Sequence, residues 1–347
     1  MIRILAGDIG ATHCRFALYC AGLEGEEKPF LPRLLRKRVF PGRDFPDGAV
    51  ALRSLFLPGP GGEGALLGTD TPPDIAVLAP AGPILAEGQE AQCSMPNLPW
   101  RLCTQEVRPL LGLAQVYLIN DLAAQAYACL LPEEVDAVRI LAGDTEANAA
   151  AAVLAAGTGL GKALFLCERA LAAEDAQETI ARLLRARVLP SEGGHADFPF
   201  VGEDEFAFAR FAAAKKGRVR LNGDDIVSGS GLALICSHLS GEDLSPQEAV
   251  LRCAGHPRVL EWYARFYGRA CRNYALDALT LGGIYISGGM ALRVGVLEHP
   301  AFAGEFYAGI GPDHFLRRVP LWHIRSPEAG LFGAALYGFL RMATDRF

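Results

Sequence analysis

The sequence predicts an α/β protein of two related domains with a cleft between them. Three observations carry that reading. Residues 2–7 (IRILAG) and 14–20 (CRFALYC) are strand-like runs around the tight glycine-bearing turn DIGATH. The same opening returns near residue 150, where an Ala/Val strand at 150–156 meets the turn GTGLG at 157–161 and a strand from Lys162 to Leu166. Single buried strands and helical stretches follow each hairpin. No residue-level repeat accompanies the echo, which is architectural.

The remaining elements follow in order. Residues 58–64 (PGPGGEG) are a flexible surface loop, and DIAVLAP at 74–80 is an apolar run bounded by prolines. VYLIN at 116–120 is a buried strand that runs into Asp121, and the alanine-rich LAAQAYACLL after it is helical. Residues 174–187 predict a charged amphipathic helix, and beyond the loop PSEGGHADFP the chain turns mainly helical. Between Pro257 and Gly282 the apolar positions Val259, Leu260, Tyr263, Phe266, Tyr267, Ala270, Cys271 and Tyr274 keep a helical period, and a glycine pair ends the run. The strand IYIS and the turn GGM come next, then a last helix over about 328–343 with Gly330, Gly333 and Ala334 on a closely packed face.

Composition narrows the function. The 347 residues are 51% hydrophobic and 21% charged, enough for two domains of ordinary size or one large one. A net charge of -6 with no basic domain or stripe argues against a nucleic-acid partner. Arg33 to Arg38 and Lys215 to Arg220 read as solvated faces. The cysteines number nine, are scattered and form no CxxC pair, which suits reduced, buried thiols and a cytoplasmic location. The N-terminus does not read as a signal peptide, and no run of about 18 apolar residues is present, so no membrane partner is expected.

Four segments carry candidate chemistry. In DIGAT, glycine lets the backbone approach a phosphate chain with its N–H groups inward, Thr12 adds a hydroxyl, and Asp8 can hold Mg2+ directly or through water. An ordinary hairpin turn uses the same residue types. AAGTGLG at 155–161 repeats this physics with Thr158 between glycines, and it is neither a Walker loop nor a Rossmann fingerprint. Strand alternation leaves the direction of Lys162 open. IND at 119–121 places Asp121 at the carboxyl end of a strand, where it can take a proton from an attacking hydroxyl or cap the following helix. Asn120 beside it offers a donor and an acceptor to a sugar hydroxyl. In SEGGHADF, Glu192 and His195 flank paired glycines and can grip vicinal hydroxyls; a loop histidine also serves structure alone.

Together these residues resemble the bacterial glucokinase family of hexokinase-type sugar kinases, within the actin-like ATPase (ribonuclease H-like) superfold. The matching segments keep the family's order: GDIGAT at 7–12, LINDLAA at 118–124, AAGTGLG at 155–161, EGGHADF at 192–198, VSGSGL at 227–232, ISGGM at 286–290 and GLFGAALYG at 330–338. The resemblance implies ATP and Mg2+ as cofactors and glucose or a related hexose as substrate. It implies a first phosphate loop of Gly7, Asp8, Ile9, Gly10, Ala11 and Thr12, with Asp8 near the metal. Gly157, Thr158 and Gly159 would form the second loop, and Ser287, Gly288 and Gly289 the adenosine-side turn. Asn120, Asp121, Glu192, His195 and Asp224 would contact the sugar, with Asp121 as catalytic base toward its C6 hydroxyl. The family also suggests a homodimer. Residues 1–121 with 328–347 would form a small nucleotide/sugar domain, and 122–327 a large α/β domain with helical insertions, joined by a hinge that closes over the sugar.

The sequence departs from the family in three places. The usual GGTN is GATH, so Ala11 and His13 replace a glycine and an asparagine, and Ala11 fits only at negative φ. The last sugar-contacting glutamate falls on Asp224, one methylene shorter, with Asp225 one alignment step away. The stretch 167–189 is longer than the family pattern, as a lid edge or surface insertion. These changes leave two alternatives, a kinase for a different hexose and a catalytically weak sensor that binds sugar and nucleotide.

Overall fold

The computed structural model describes residues 1–10, 12–22, 29–59, 64–68, 72–85, 90–168, 175–252, 255–293, 295–309, 311 and 314–344. Ala11, Cys253, residues 60–63 of the predicted loop and 169–174 of the long stretch lie outside them. The chain divides into two units, Met1–Val135 with Ala170–Ala186 and Glu328–Phe347, and Asp136–Arg169 with Arg187–Pro327.

The first unit is built on β1 (Ile2–Ile9), β2 (Cys14–Gly22), β3 (Phe30–Phe40), β4 (Ile75–Pro80) and β8 (Gln115–Leu118), in the order β3-β2-β1-β4-β8. β1 to β3 are antiparallel neighbours, and β4 and β8 add in parallel. β4 is buried at every residue, as expected of a continuous apolar run covered on both faces. One face carries Leu5, Phe16, Leu78 and Val116 against Leu52 of α1 (Gly48–Ser54), Val107 of α2 (Thr104–Leu111) and Trp100 beside the small sheet β5 (Ile84–Leu85), β6 (Gln92–Ser94) and β7 (Arg101–Cys103). Over the other lies α12 (Ala329–Thr344), packed on β1, β4, α3 (Asp121–Ala128) and α4 (Ala176–Arg185). α12 comes this close because its glycines lack a Cβ. One added at Gly333 would sit 1.7 Å from the Ala124 carbonyl oxygen, and one at Gly338 would sit 2.9 Å from Ile4 Cγ2.

The second unit repeats the opening. Its sheet runs β12 (Arg187–Ser191), β11 (Leu160–Leu166), β10 (Ala151–Ala156), β13 (Ile284–Ser287), β14 (Leu321–Ile324) and β9 (Ala137–Leu141). The antiparallel triplet β12-β11-β10 is again followed by two parallel strands. The echo of the two glycine hairpins is therefore one of topology. Helices α5 (Gly202–Lys216), α6 (Gly223–Ile226), α7 (Gly229–Ser240), α8 (Pro246–Arg252), α9 (Pro257–Ala278), α10 (Gly289–Arg293) and α11 (Pro300–Phe306) complete the unit. Phe208, Trp262, Phe266, Tyr267 and Phe302 pack in one core with Leu154 and Ile286 of the sheet.

Several local expectations change. α9 stops before the glycine pair, at Leu279, which adopts a left-handed φ of 48° and returns its N–H to Ala275. The Arg33–Arg38 cluster lies on β3, an exposed edge strand, yet Arg38 is buried and donates to the carbonyls of Ser54, Leu57 and Gly64. Lys216 and Arg218 of the other basic cluster are bound to Asp225 instead of standing free in solvent. Among the described residues no helix is long and apolar enough to cross a membrane.

Candidate active site

In the first unit the candidates gather where parallel strands end. Asp8 is one residue from the end of β1, opposite Ala79 of β4, and the amide of Ile119 just after β8 donates to the Leu78 carbonyl. Asp8 and the Asn120–Asp121 pair therefore share one edge of the sheet, the edge at which ligands of α/β sheets bind. Burial pushes the Asp8 carboxyl above its ordinary range, against the pull of Arg15, whose guanidinium lies 3.2 Å away. α12 reaches this carboxylate through Gly330, where a Cβ would lie 3.1 Å from Asp8 Cγ. Beyond Asp8 the turn closes through a Gly10 N–H donated to the His13 carbonyl at 3.0 Å, and Thr12 is exposed. Gly7 is buried, with Leu78 and Phe16 side chains filling the room a Cβ would take. Ile9 is buried in the core.

The start of α3 separates two roles that were open for Asp121. Asn120, not Asp121, is the N-cap: its Oδ1 accepts from the amides of Leu122 at 2.9 Å and Ala123 at 3.3 Å. Asn120 Nδ2 donates to the Gly82 carbonyl at 3.3 Å, which ties the helix start to the loop after β4. Asp121 is the first helical residue, half-buried, with Oδ1 accepting from the Leu122 amide at 3.0 Å. Its charge is felt nearby, since burial and then Asp121 push the Cys93 thiol up to about 11.

In the second unit the candidate loops touch. The turn 157–159 joins β10 to β11 and closes with Gly157 N–H on the Gly159 carbonyl at 2.9 Å, leaving Thr158 exposed. The amide of Gly229, at the start of α7, donates to the Gly157 carbonyl at 3.0 Å and braces the turn. Glu192 and His195 bound a short 3-10 turn, with His195 Nδ1 3.0 Å from Glu192 Oε2. That loop is pinned to the segment before α6 by Phe198 N–H on Leu221 O and Gly223 N–H on Ala196 O. His195 Nε2 thereby lies 3.3 Å from Asp224 Oδ2, and Asp224 Oδ1 accepts from the Leu160 amide at 2.7 Å. Its neighbour Asp225 faces away into a capping box with Asn222 and ion pairs with Lys216 and Arg218. Burial opposes its ionisation, but the Lys216 and Asn222 hydrogen bonds and the two cations draw its carboxyl below the ordinary range. Ser287 is buried beside Ala155, and Gly288 adopts φ of 91° with no room for a Cβ, which would lie 2.4 Å from Ala156 O. Gly289 opens α10 and has open space where a Cβ would be.

These halves match known proteins along nearly their whole length. The family model described as Glucokinase covers residues 5–339. The chain belongs to the glucokinase family. A curated glucokinase of Pseudomonas aeruginosa is 31% identical over 96% of this chain and 93% of its own. The crystal structure of a glucokinase from an Antarctic psychrotroph superposes with a TM-score of 0.72 at 26% identity, covering 98% of this chain and 99% of that one. A ROK family glucokinase from Streptomyces griseus, solved in complex with glucose and AMPPNP, shares the fold with a TM-score of 0.55 at 17% identity over 97% and 99% of the two chains. The family is one of hexose kinases of the actin-like ATPase fold.

Two features escaped the sequence. Lys162 points inward: it is buried, with its ammonium 4.8 Å above the Tyr274 ring, and burial lowers its pKa against the opposing carboxylates of Asp277 and Asp224. Strand periodicity could have placed it only if the buried face of β11 had been known. The second is the brace from Gly229 to the turn at 157–159, which the VSGSGL motif marked without revealing its partner.

Proposed function

We propose that the protein transfers the γ-phosphoryl group of ATP to the C6 hydroxyl of glucose, with Asp121 as general base. The observation that supports this best is the division of labour at α3, where Asn120 takes the capping role and Asp121 stands at the strand-end edge it shares with Asp8. A carboxylate at that place can accept the hydroxyl proton as the oxygen attacks phosphorus. Asn120, Glu192 and His195 hold sugar hydroxyls; the hydrogen bonds of Asn120 and the contacts of His195 with Glu192 and Asp224 limit the orientational freedom lost on binding. The turns at Gly7–Thr12, Gly157–Gly159 and Ser287–Gly289 receive the nucleotide through backbone N–H groups. The glucose and AMPPNP bound by the Streptomyces griseus protein support this choice of substrates.

Mg2+ fits the site only in part as a protein ligand. Among the described residues no cluster of three or more His, Cys, Asp or Glu side chains could cage a metal, whereas Mg2+ commonly takes one or two carboxylates and completes its shell with phosphates and water. Asp8 is the carboxylate that would hold it, and the ion would offset charge on the transferring phosphoryl group. A cytoplasmic homodimer completes the proposal, and light scattering of the purified protein tests the dimer.

A coupled ADP-release assay with Mg-ATP against glucose, fructose, mannose and N-acetylglucosamine tests the reaction. Saturable turnover with glucose above the others is expected. Turnover on another hexose alone would move the specificity, and binding without turnover would replace the kinase by a sensor. Asp121→Ala lowers kcat by roughly 10²-fold or more; unchanged turnover would remove Asp121 from the mechanism.

A further inference from the structure

We propose that Asp224 is a positioning residue that locks the phosphate turn and the sugar-side histidine to each other, so that the two substrates bind with coupled affinity. The proposal rests on the kinase reading above. Both carboxylate oxygens are already engaged within the protein. Oδ1 takes the Leu160 amide at 2.7 Å, at the end of the GTGLG turn, and Oδ2 faces His195 Nε2 at 3.3 Å. The side chain is 32% exposed, against 60% for His195 and 65% for Glu192, so it stands behind them.

The surrounding backbone is shaped to this carboxylate. A Cβ at Gly159 would lie 2.7 Å from Asp224 Oδ2, and one at Gly194 would lie 2.9 Å from Oδ1 and 1.8 Å from the Leu160 carbonyl oxygen. A Cβ at Gly223, the residue before it, would lie 2.8 Å from the Gly194 carbonyl oxygen. Glycine at these three positions lets the turn, the sugar loop and α6 close on one side chain. α6 cannot swing away, because Asp225 is held by the Asn222 capping box, Lys216 and Arg218. Aspartate spans the gap from Leu160 N to His195 Nε2, and a glutamate there would displace the turn or the ring. The shorter carboxylate at this position is thus matched to its place and ties two loops that would otherwise move separately. Coupling of this kind travels through a contiguous connection, here the hydrogen bond from the Leu160 amide and the close contact of Oδ2 with the His195 imidazole.

Steady-state constants for glucose and Mg-ATP in wild type, Asp224→Ala, Asp224→Glu, His195→Ala and the Asp224→Ala/His195→Ala double variant test the proposal. Asp224→Ala is expected to raise KM for both substrates by about fivefold or more, the scale of one lost hydrogen bond, while His195→Ala raises KM for glucose more than KM for Mg-ATP, which loses only the coupled part. The glucose effects of the two are expected to overlap in the double variant instead of multiplying, with the ATP effect of Asp224→Ala persisting. Asp224→Glu does not rescue. An unchanged ATP constant in Asp224→Ala, or glucose effects that multiply fully, would overturn the proposal and make Asp224 an independent sugar ligand. Amide exchange at Leu160 separates this from failure of the kinase reading. Its protection is expected to fall in Asp224→Ala and to survive in Asp224→Asn, which keeps an acceptor, with folding checked by circular dichroism. Equal exchange in all three proteins would overturn the lock even if wild type turned over glucose. Absence of turnover in wild type would overturn the kinase reading and leave the exchange result to decide the lock.

Discussion

Asn120 and Asp121 are neighbours with separable jobs. Asn120→Ala removes a helix cap and should cost about 1 kcal/mol, lowering the midpoint of a urea melt. Asp121→Asn leaves that cap in place, so its melt should stay within about 0.5 kcal/mol of wild type while turnover collapses. Lys162 makes a different prediction. Folding lowers its pKa below the ordinary 10.5, chiefly by burial, so the native state binds fewer protons than the unfolded one between the lowered value and 10.5. The facing groups are Tyr274, Cys271 and Asp277 on α9 and Asp224 on α6, and the charge of the ammonium costs more in desolvation than they return. Lys162→Met should therefore be more stable than wild type at neutral pH, with the advantage shrinking as pH rises toward 10.5. Urea melts across that range check the sign, and a constant difference would rule the buried charge out as its source.

Glycines decide the geometry of the elements. Gly333 on α12 permits contact with α3 at the Ala124 carbonyl oxygen, three residues after Asp121. Gly333→Ala forces a Cβ to within 1.7 Å of that oxygen, so one helix must shift. A loss of about 1–3 kcal/mol is expected from overpacking, together with a lower kcat if α3 carries the base proposed at Asp121. Thermal melts and the ADP-release assay on the same preparation would show both, and an unaffected kcat would mean that α12 gives way alone. Elements with one strong signal were legible in the chain itself: the β1–β2 hairpin, β4, α9 and the small-residue face of α12. β3 was not, because an exposed edge strand rich in Arg and Lys has no buried face to impose alternation. The short strands β5, β6, β7, β12 and β14 are two to five residues long, too short to show alternation, and β12 and β14 owe their pairing to neighbours distant in sequence.

At the scale of the whole molecule, each unit has a core of its own, and the second also contains a buried ionic cluster. Arg269 is 1% exposed and binds Glu205 Oε2 at 2.5 Å and Glu305 Oε1 at 2.8 Å, joining α9 to α5 and α11. Arg265 and Arg272 of α9 add to it. Removing one partner from such a cluster leaves an uncompensated charge, so Arg269→Met should destabilise by about 3–5 kcal/mol. Glu205→Gln in the same background should recover part of the loss, which a double-mutant cycle in urea would measure. No recovery would show that Arg269 acts by packing alone. The cluster is invisible in sequence, where Glu205 and Arg269 are 64 residues apart on helices with ordinary charged faces.

The sequence by itself determined the family, the α/β class, the two glycine hairpins and the identity of most candidate site residues, because each is encoded by contiguous residues whose backbone needs are local. Glycine at a tight turn and an apolar run in a strand mean the same thing wherever the chain later goes. Tertiary structure alone decided which of two adjacent residues did which job. It gave the cap to Asn120, faced Asp224 toward His195 and Asp225 toward Lys216, and turned Lys162 inward. In each case local physics allows both answers. For Asn120, Asp224 and Lys162 distant partners such as Gly82, Leu160 and Tyr274 take part in the choice, and for Asp225 the nearer Lys216, Arg218 and Asn222 make it.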